Sequence, residues 1–197
     1  EAAILKRLAD DESTFKLPYD AATISFLRGV CSMWMNQPNA ADSHFSACAA
    51  LWTDSHIPIY YRGIARFKAK RFDEADSDFT AALRMQPNLT SALQHRALVR
   101  IENKRYRDAV DDLDAVIAAG NNDALTWFLR SDVHRALGDE AAEQHDRQAA
   151  LAATPVSFDG WMKRGMLLRK SDPEAALHAF NHALLMAPDA FKGLQNK

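Results

Sequence analysis

The sequence predicts an all-α fold built from antiparallel helix pairs stacked in a row. Arginine recurs at equal intervals, at Arg28, Arg62, Arg96, Arg130 and Arg164, each followed by a small residue: Gly29, Gly63, Ala97, Ser131 and Gly165. A second apolar stripe follows each arginine, clearest as Ala75, Phe79 and Ala82. Alanine is abundant while glycine and proline number only seven each, which favours helix over strand.

A fixed period of about 34 residues marks a repeat architecture. EAAILKRLADDES (1–13) reads as a helix or the remnant of a preceding repeat within 1–21. The repeat domain is expected over 22–190, with helix pairs at 22–35 and 39–51, 56–69 and 72–85, 90–103 and 106–119, 123–137 and 139–152, and 158–170 and 173–186. Ala41, Phe45 and Cys48 carry the second stripe in the first pair, Ala109, Leu113 and Val116 in the third, Ala176, Phe180 and Ala183 in the fifth. In the fourth pair Glu143 and Arg147 stand where alanine and phenylalanine are expected, so its pairing is weakly marked. Pro87, Pro155, Pro188 and the AGNN run at 119–122 are stop signals. FKGLQNK (191–197) reads as the truncated start of a further helix, and a chain opening on Glu1 reads as a piece of a longer protein.

These features resemble the tetratricopeptide repeat family over about 22–188. The carriers are the small residue at 29, 63, 97, 131 and 165, the Ala-x-x-x-Phe-x-x-Ala run at 75–82, the closing prolines, and the early aromatics Trp127 and Trp161. The resemblance implies a right-handed superhelical solenoid of about five repeats with a concave inner face. It also implies a partner for the arginines, because variants with Arg-Gly in the first helix commonly carry an acid in the second. Asp78, Asp112 and Asp146 follow Arg62, Arg96 and Arg130 at one constant interval, and structural ion pairs are expected there. Arg28 has His44 at that position and Arg164 has Ala179, so these two lack the obvious partner.

Each first helix carries another stripe, with spacings of four and three that keep it on one face. It comprises Phe26, Val30, Met33 and Trp34, then Tyr60, Ile64 and Phe67, then Leu98 and Ile101, then Phe128, Asp132 and Arg135, then Met166 and Arg169. The resemblance places this face in the concave groove, aromatic toward the N-terminal half and basic toward the C-terminal end. Such a surface suits a protein or peptide with hydrophobic anchors and an acidic part. The alternative packs these side chains between neighbouring first helices or under the helix at 1–13. Family members that bind chaperone C-termini use lysine and asparagine where Phe26 and Val30 stand, so that clamp is absent.

Other chemistries are poorly supported. A net charge of −2 argues against nucleic acid or an anionic membrane as partner. No apolar run approaches the roughly 18–20 residues that span a bilayer. Nucleotide-binding, zinc-protease and hydrolase motifs are missing, which argues against an enzyme and against a cofactor. His178 and His182 share a helix face but have no third metal ligand nearby in sequence. Two cysteines make no disulfide framework and fit a reducing compartment, so a cytoplasmic location is expected. The function read from the sequence is a non-catalytic scaffold that binds polypeptides through its groove. The alternative is a regulatory or self-associating segment of a larger protein, acting through end repeats such as the one carrying Leu184 and Leu185.

Overall fold

The structure is a computed structural model and describes residues 20–120 and 123–187. The expectations for 1–13 and 191–197, and Pro188 with the AGNN asparagines, lie outside the described residues. Among the described residues ten helices follow one another: α1 Ala21–Trp34, α2 Pro38–Leu51, α3 His56–Lys68, α4 Phe72–Met85, α5 Thr90–Glu102, α6 Tyr106–Ala118, α7 Ala124–Leu137, α8 Glu140–Ala152, α9 Phe158–Leu168 and α10 Pro173–Met186. None of these helices is long and apolar enough to cross a membrane. They divide into two units, one ending at Arg105 and one beginning at Tyr106.

Caps explain the helix starts. The carboxylates of Asp20, Asp139 and Asp172 accept from the backbone N–H of Thr23, Ala142 and Ala175, and the Ser157 hydroxyl accepts from Gly160. Pro38 and Pro173 occupy first turns, where a missing N–H costs nothing.

The turns inside the first four pairs share one geometry. Asn36, Lys70, Lys104 and Gly138, evenly spaced along the chain, all have positive φ, from 56° to 80°. In each, that residue's N–H bonds the carbonyl three back, and the next N–H bonds the carbonyl five back. This is the left-handed Schellman closure of a helix C-terminus. The fifth pair is one residue shorter and closes differently, with Ser171 and Asp172 both bonding Leu168.

In the first unit α2 packs between α1 and α3, and α4 between α3 and α5; α3 also touches α5. In the second, α7 packs with α6 and α8, α9 with α10, and α7 touches α9. First helices therefore lie side by side within each unit. In the first, second and fifth pairs the helices approach closely because one side lacks a side chain: a Cβ on Gly29, Gly63 or Gly165 would fall 2.5–2.8 Å from Phe45, Phe79 or Phe180. Phe45, Phe79 and Leu113 are fully buried in the cores.

The weakly marked fourth pair forms all the same. Its second helix buries only Asp146 and Ala150, whereas α4 buries Ala75, Asp78, Phe79, Ala82 and Leu83.

Candidate functional site

One arginine of the ladder in each unit forms an ion pair with the acid expected for it. Arg62 donates from Nε (3.0 Å) and Nη2 (2.6 Å) to the two oxygens of Asp78, which is buried. Arg130 grips Asp146 the same way, both bonds 2.7 Å, and its guanidinium lies 4.8 Å from the centre of the Trp127 ring. Burial pushes the Asp146 carboxyl up, but the Arg130 fork, His145 and nearby positive charge outweigh it and hold the group below the usual carboxylate range. Hydrogen bonding to Asp78 and to Asp146 raises the Arg62 and Arg130 guanidiniums. Arg96 and Asp112 belong to different units, and each is described with its own: Asp112 is buried, and Arg96 donates to Thr80.

Each ladder arginine also reaches backward. The Nη1 groups of Arg62, Arg96 and Arg130 donate to Ser46, Thr80 and Asp114, each at the same remove on the preceding second helix. The end arginines, which have His44 and Ala179 in place of the acid, make other contacts. Arg164 donates to the Ala153 carbonyl at 3.0 Å, and Arg28 is not free. Burial and the Arg28 charge together lower the His44 imidazole.

A second ladder escaped the sequence reading. Asp42 accepts from Arg66 (3.1 Å) and Arg71 (2.7 Å), and one repeat later Asp76 accepts from Arg100 (3.2 Å) and Arg105 (3.1 Å). Arg66 also donates to Asp78 at 2.9 Å. His134 takes the place of Arg66 and Arg100 in the fourth pair: its Nε2 stands 3.7 Å from Asp146, and its buried Nδ1 has no partner among the described residues. The signal was present, since Asp42 and Asp76 share the period of the arginines, but two acids among many do not stand out.

The expected groove residues divide by depth. In the first unit Phe26, Val30 and Met33 are half-buried against Ala41, Phe45 and Ala65. Phe26 meets Phe45, Trp52 and Tyr61 at 5.2–6.1 Å, so much of its ring serves the core. Tyr60 packs on Tyr61, Phe79 and His95, Phe67 lies 5.8 Å from Phe72, and Ile64, Leu98 and Ile101 are half-buried. Trp34 is 75% exposed. Burial lowers the His95 imidazole, whose Nδ1–H donates to the Ser91 carbonyl at 2.8 Å.

In the second unit Phe128 is buried, whereas Arg135, Met166 and Arg169 are exposed. Here the face opens into a cleft of about 310 Å³ lined by Phe128, Ser131, Asp132, Arg135, Arg147, Lys163, Met166 and Leu167. Its charges are cross-linked. Arg135 donates to Glu143 at 2.8 Å and pairs with Asp132 at 3.3 Å, Arg147 pairs with Glu143 at 3.3 Å, and Lys163 pairs with Asp132 from the neighbouring first helix. The hydrogen bond from Arg135 is the main cause that holds the Glu143 carboxyl below its ordinary range. The sequence marked Phe128, Asp132, Arg135 and Met166 for this face; Arg147 it marked only as a defect.

His182 stacks on Trp161 with ring centres 4.4 Å apart, and His178 lies 4.5 Å from His182. No group of three or more metal-ligating side chains occurs among the described residues.

No protein-family model and no curated protein matches the chain in sequence. Solved structures do match in fold. MamA (41-end) from Desulfovibrio magneticus RS-1 is similar with a TM-score of 0.68 and 21% identity, over 88% of this chain and 99% of that one. TTC0263, a thermophilic tetratricopeptide repeat protein of Thermus thermophilus, is similar with a TM-score of 0.70 and 15% identity, over 89% of this chain and 96% of that one. The Cut9–Hcn1 hetero-tetramer of APC/C contains a chain similar at a TM-score of 0.63 and 13% identity, over 88% of this chain and 35% of that one. The chain has the all-α solenoid fold of the tetratricopeptide repeat proteins.

Proposed function

We propose that the chain is a non-catalytic scaffold that binds a polypeptide on the face made by its first helices. The observation that carries this reading is the side-by-side packing of first helices with large side chains left open along them, Trp34 at 75% exposure and Met166 at 56%. Exposed aromatic and methionine side chains held on rigid elements are typical anchors for a partner. The Cut9–Hcn1 hetero-tetramer is an instance of a similar chain in a protein assembly. With a net charge of −2, nucleic acid and anionic membrane surfaces are not the proposed partners.

A peptide-library screen against the chain beside the double variant Met33→Glu, Phe67→Glu tests the reading, with thermal melting as a fold check. Peptides with hydrophobic anchors that bind the parent and not the variant support the first-unit face. Binding unaffected by the variant moves the site away from that face.

A second reading is self-association through α10, favoured by Leu177 and Leu185, which are 61% and 79% exposed. Light scattering tests it: a monomer across concentrations removes it.

A further inference from the structure

The first, second and fifth pairs fill the socket between their helices with Phe45, Phe79 or Phe180. In the fourth pair Ser131, which is buried, and Arg147 stand at those positions, and both line the cleft. An arginine that filled a socket would be buried with its fork satisfied. Arg147 is 41% exposed and makes one 3.3 Å contact, from Nη1 to Glu143 on its own helix.

The charges do not balance. Three cations, Arg135, Arg147 and Lys163, share two carboxylates, Asp132 and Glu143, leaving one positive charge uncompensated. The same cleft is lined by Phe128, Met166 and Leu167. One negative charge beside an apolar group complements such a site, and a phosphate, which carries nearly two at neutral pH, exceeds it.

We propose that this cleft is an acid-anchor subsite: it takes one Asp or Glu side chain of a bound polypeptide against Arg147, Arg135 and Lys163, while an apolar neighbour of that residue rests on Phe128, Met166 and Leu167. The inference rests on the polypeptide-binding reading above and adds the chemistry that the second unit selects. A volume of about 310 Å³ holds one acidic side chain with an adjoining apolar one. Arg147 is the specificity-determining residue, because its Nε and Nη2 have no acceptor in the described residues and meet the incoming carboxylate without breaking an existing pair.

The test is a positional-scanning library of nonapeptides with acetylated and amidated ends, so that only side chains carry charge. It is run on the parent chain, Arg147→Leu and Lys163→Gln, each checked by thermal melting. The expected result is selection of Asp or Glu beside Leu, Met or Phe, with the acidic peptides bound about tenfold more weakly by both variants. Their affinity for the parent should also fall as salt rises. If Arg147→Leu does not fold, Lys163→Gln decides. Peptides that bind without acidic preference overturn the subsite and leave the scaffold reading standing, as does an acidic preference that survives in the folded variants. Binding of no peptide at all overturns the scaffold reading, and the subsite with it.

Discussion

Arg62 holds two second helices with one guanidinium: its Nε and Nη2 grip Asp78 on α4, and Nη1 reaches Ser46 on α2. Removing it strands a buried carboxylate with only the 2.9 Å bond from Arg66. Arg62→Ala should therefore cost about 2–4 kcal/mol, just short of a complete loss of a buried pair; chemical denaturation measures it. An unchanged denaturation midpoint would make the ladder decorative. His95 gives a pH signature. Its folded-state pKa is lowered by burial, so below the ordinary value of about 6.5 the unfolded chain binds more protons than the folded one. Its contribution is whole above that pH and is lost as the pH falls through the folded value. His95→Phe should flatten the stability profile below the ordinary histidine value of about 6.5, read as melting temperature against pH. The Arg62–Asp78 and Arg130–Asp146 pairs were legible because one Arg-to-Asp spacing recurs along the sequence. Asp42 and Asp76 were not, because their arginines come from the following repeat.

Helix boundaries were legible to within about two residues, since Pro38, Pro173 and the capping Asp and Ser residues announce them. The geometry of the turns was hidden. The turns at 68–71 and 102–105 could be placed, but lysine has no preference for left-handed backbone, so Lys70 and Lys104 did not announce it as Asn36 and Gly138 do. Those lysines carry a steric cost that glycine avoids. Lys70→Gly should raise stability by about 0.5–1 kcal/mol, measured by urea unfolding. The opposite change inside a helix should destabilise: Gly63→Ala sets a Cβ 2.8 Å from Phe79 Cε1 and should cost about 1–3 kcal/mol.

Across the molecule, burial is spread unevenly, and in repeat proteins the stability of each unit depends on its own core and its neighbours. With only Asp146 and Ala150 buried, α8 should exchange its amide hydrogens faster than α4, by mass-spectrometric hydrogen exchange. Equal protection would show that ion pairs replace the missing apolar core. The substitution at Arg147 could be seen in sequence as a break in the pattern, but its outcome could not. Whether the charge would close the socket or leave it open depended on Asp132, Arg135 and Lys163, which come from two other helices.

Because Arg62 and Arg96 both reach back to hydroxyls at the same interval along the chain, and Asp42 and Asp76 each receive the same two arginine positions, the second repeat should be removable as a cassette. Excising residues 56–89 would bring Arg96 to Ser46, and Arg100 and Arg105 to Asp42, so that these three arginines meet acceptors of their accustomed kind. The same grammar lets the segment be copied in, so the array can lengthen or shorten by whole repeats without rewriting its polar wiring.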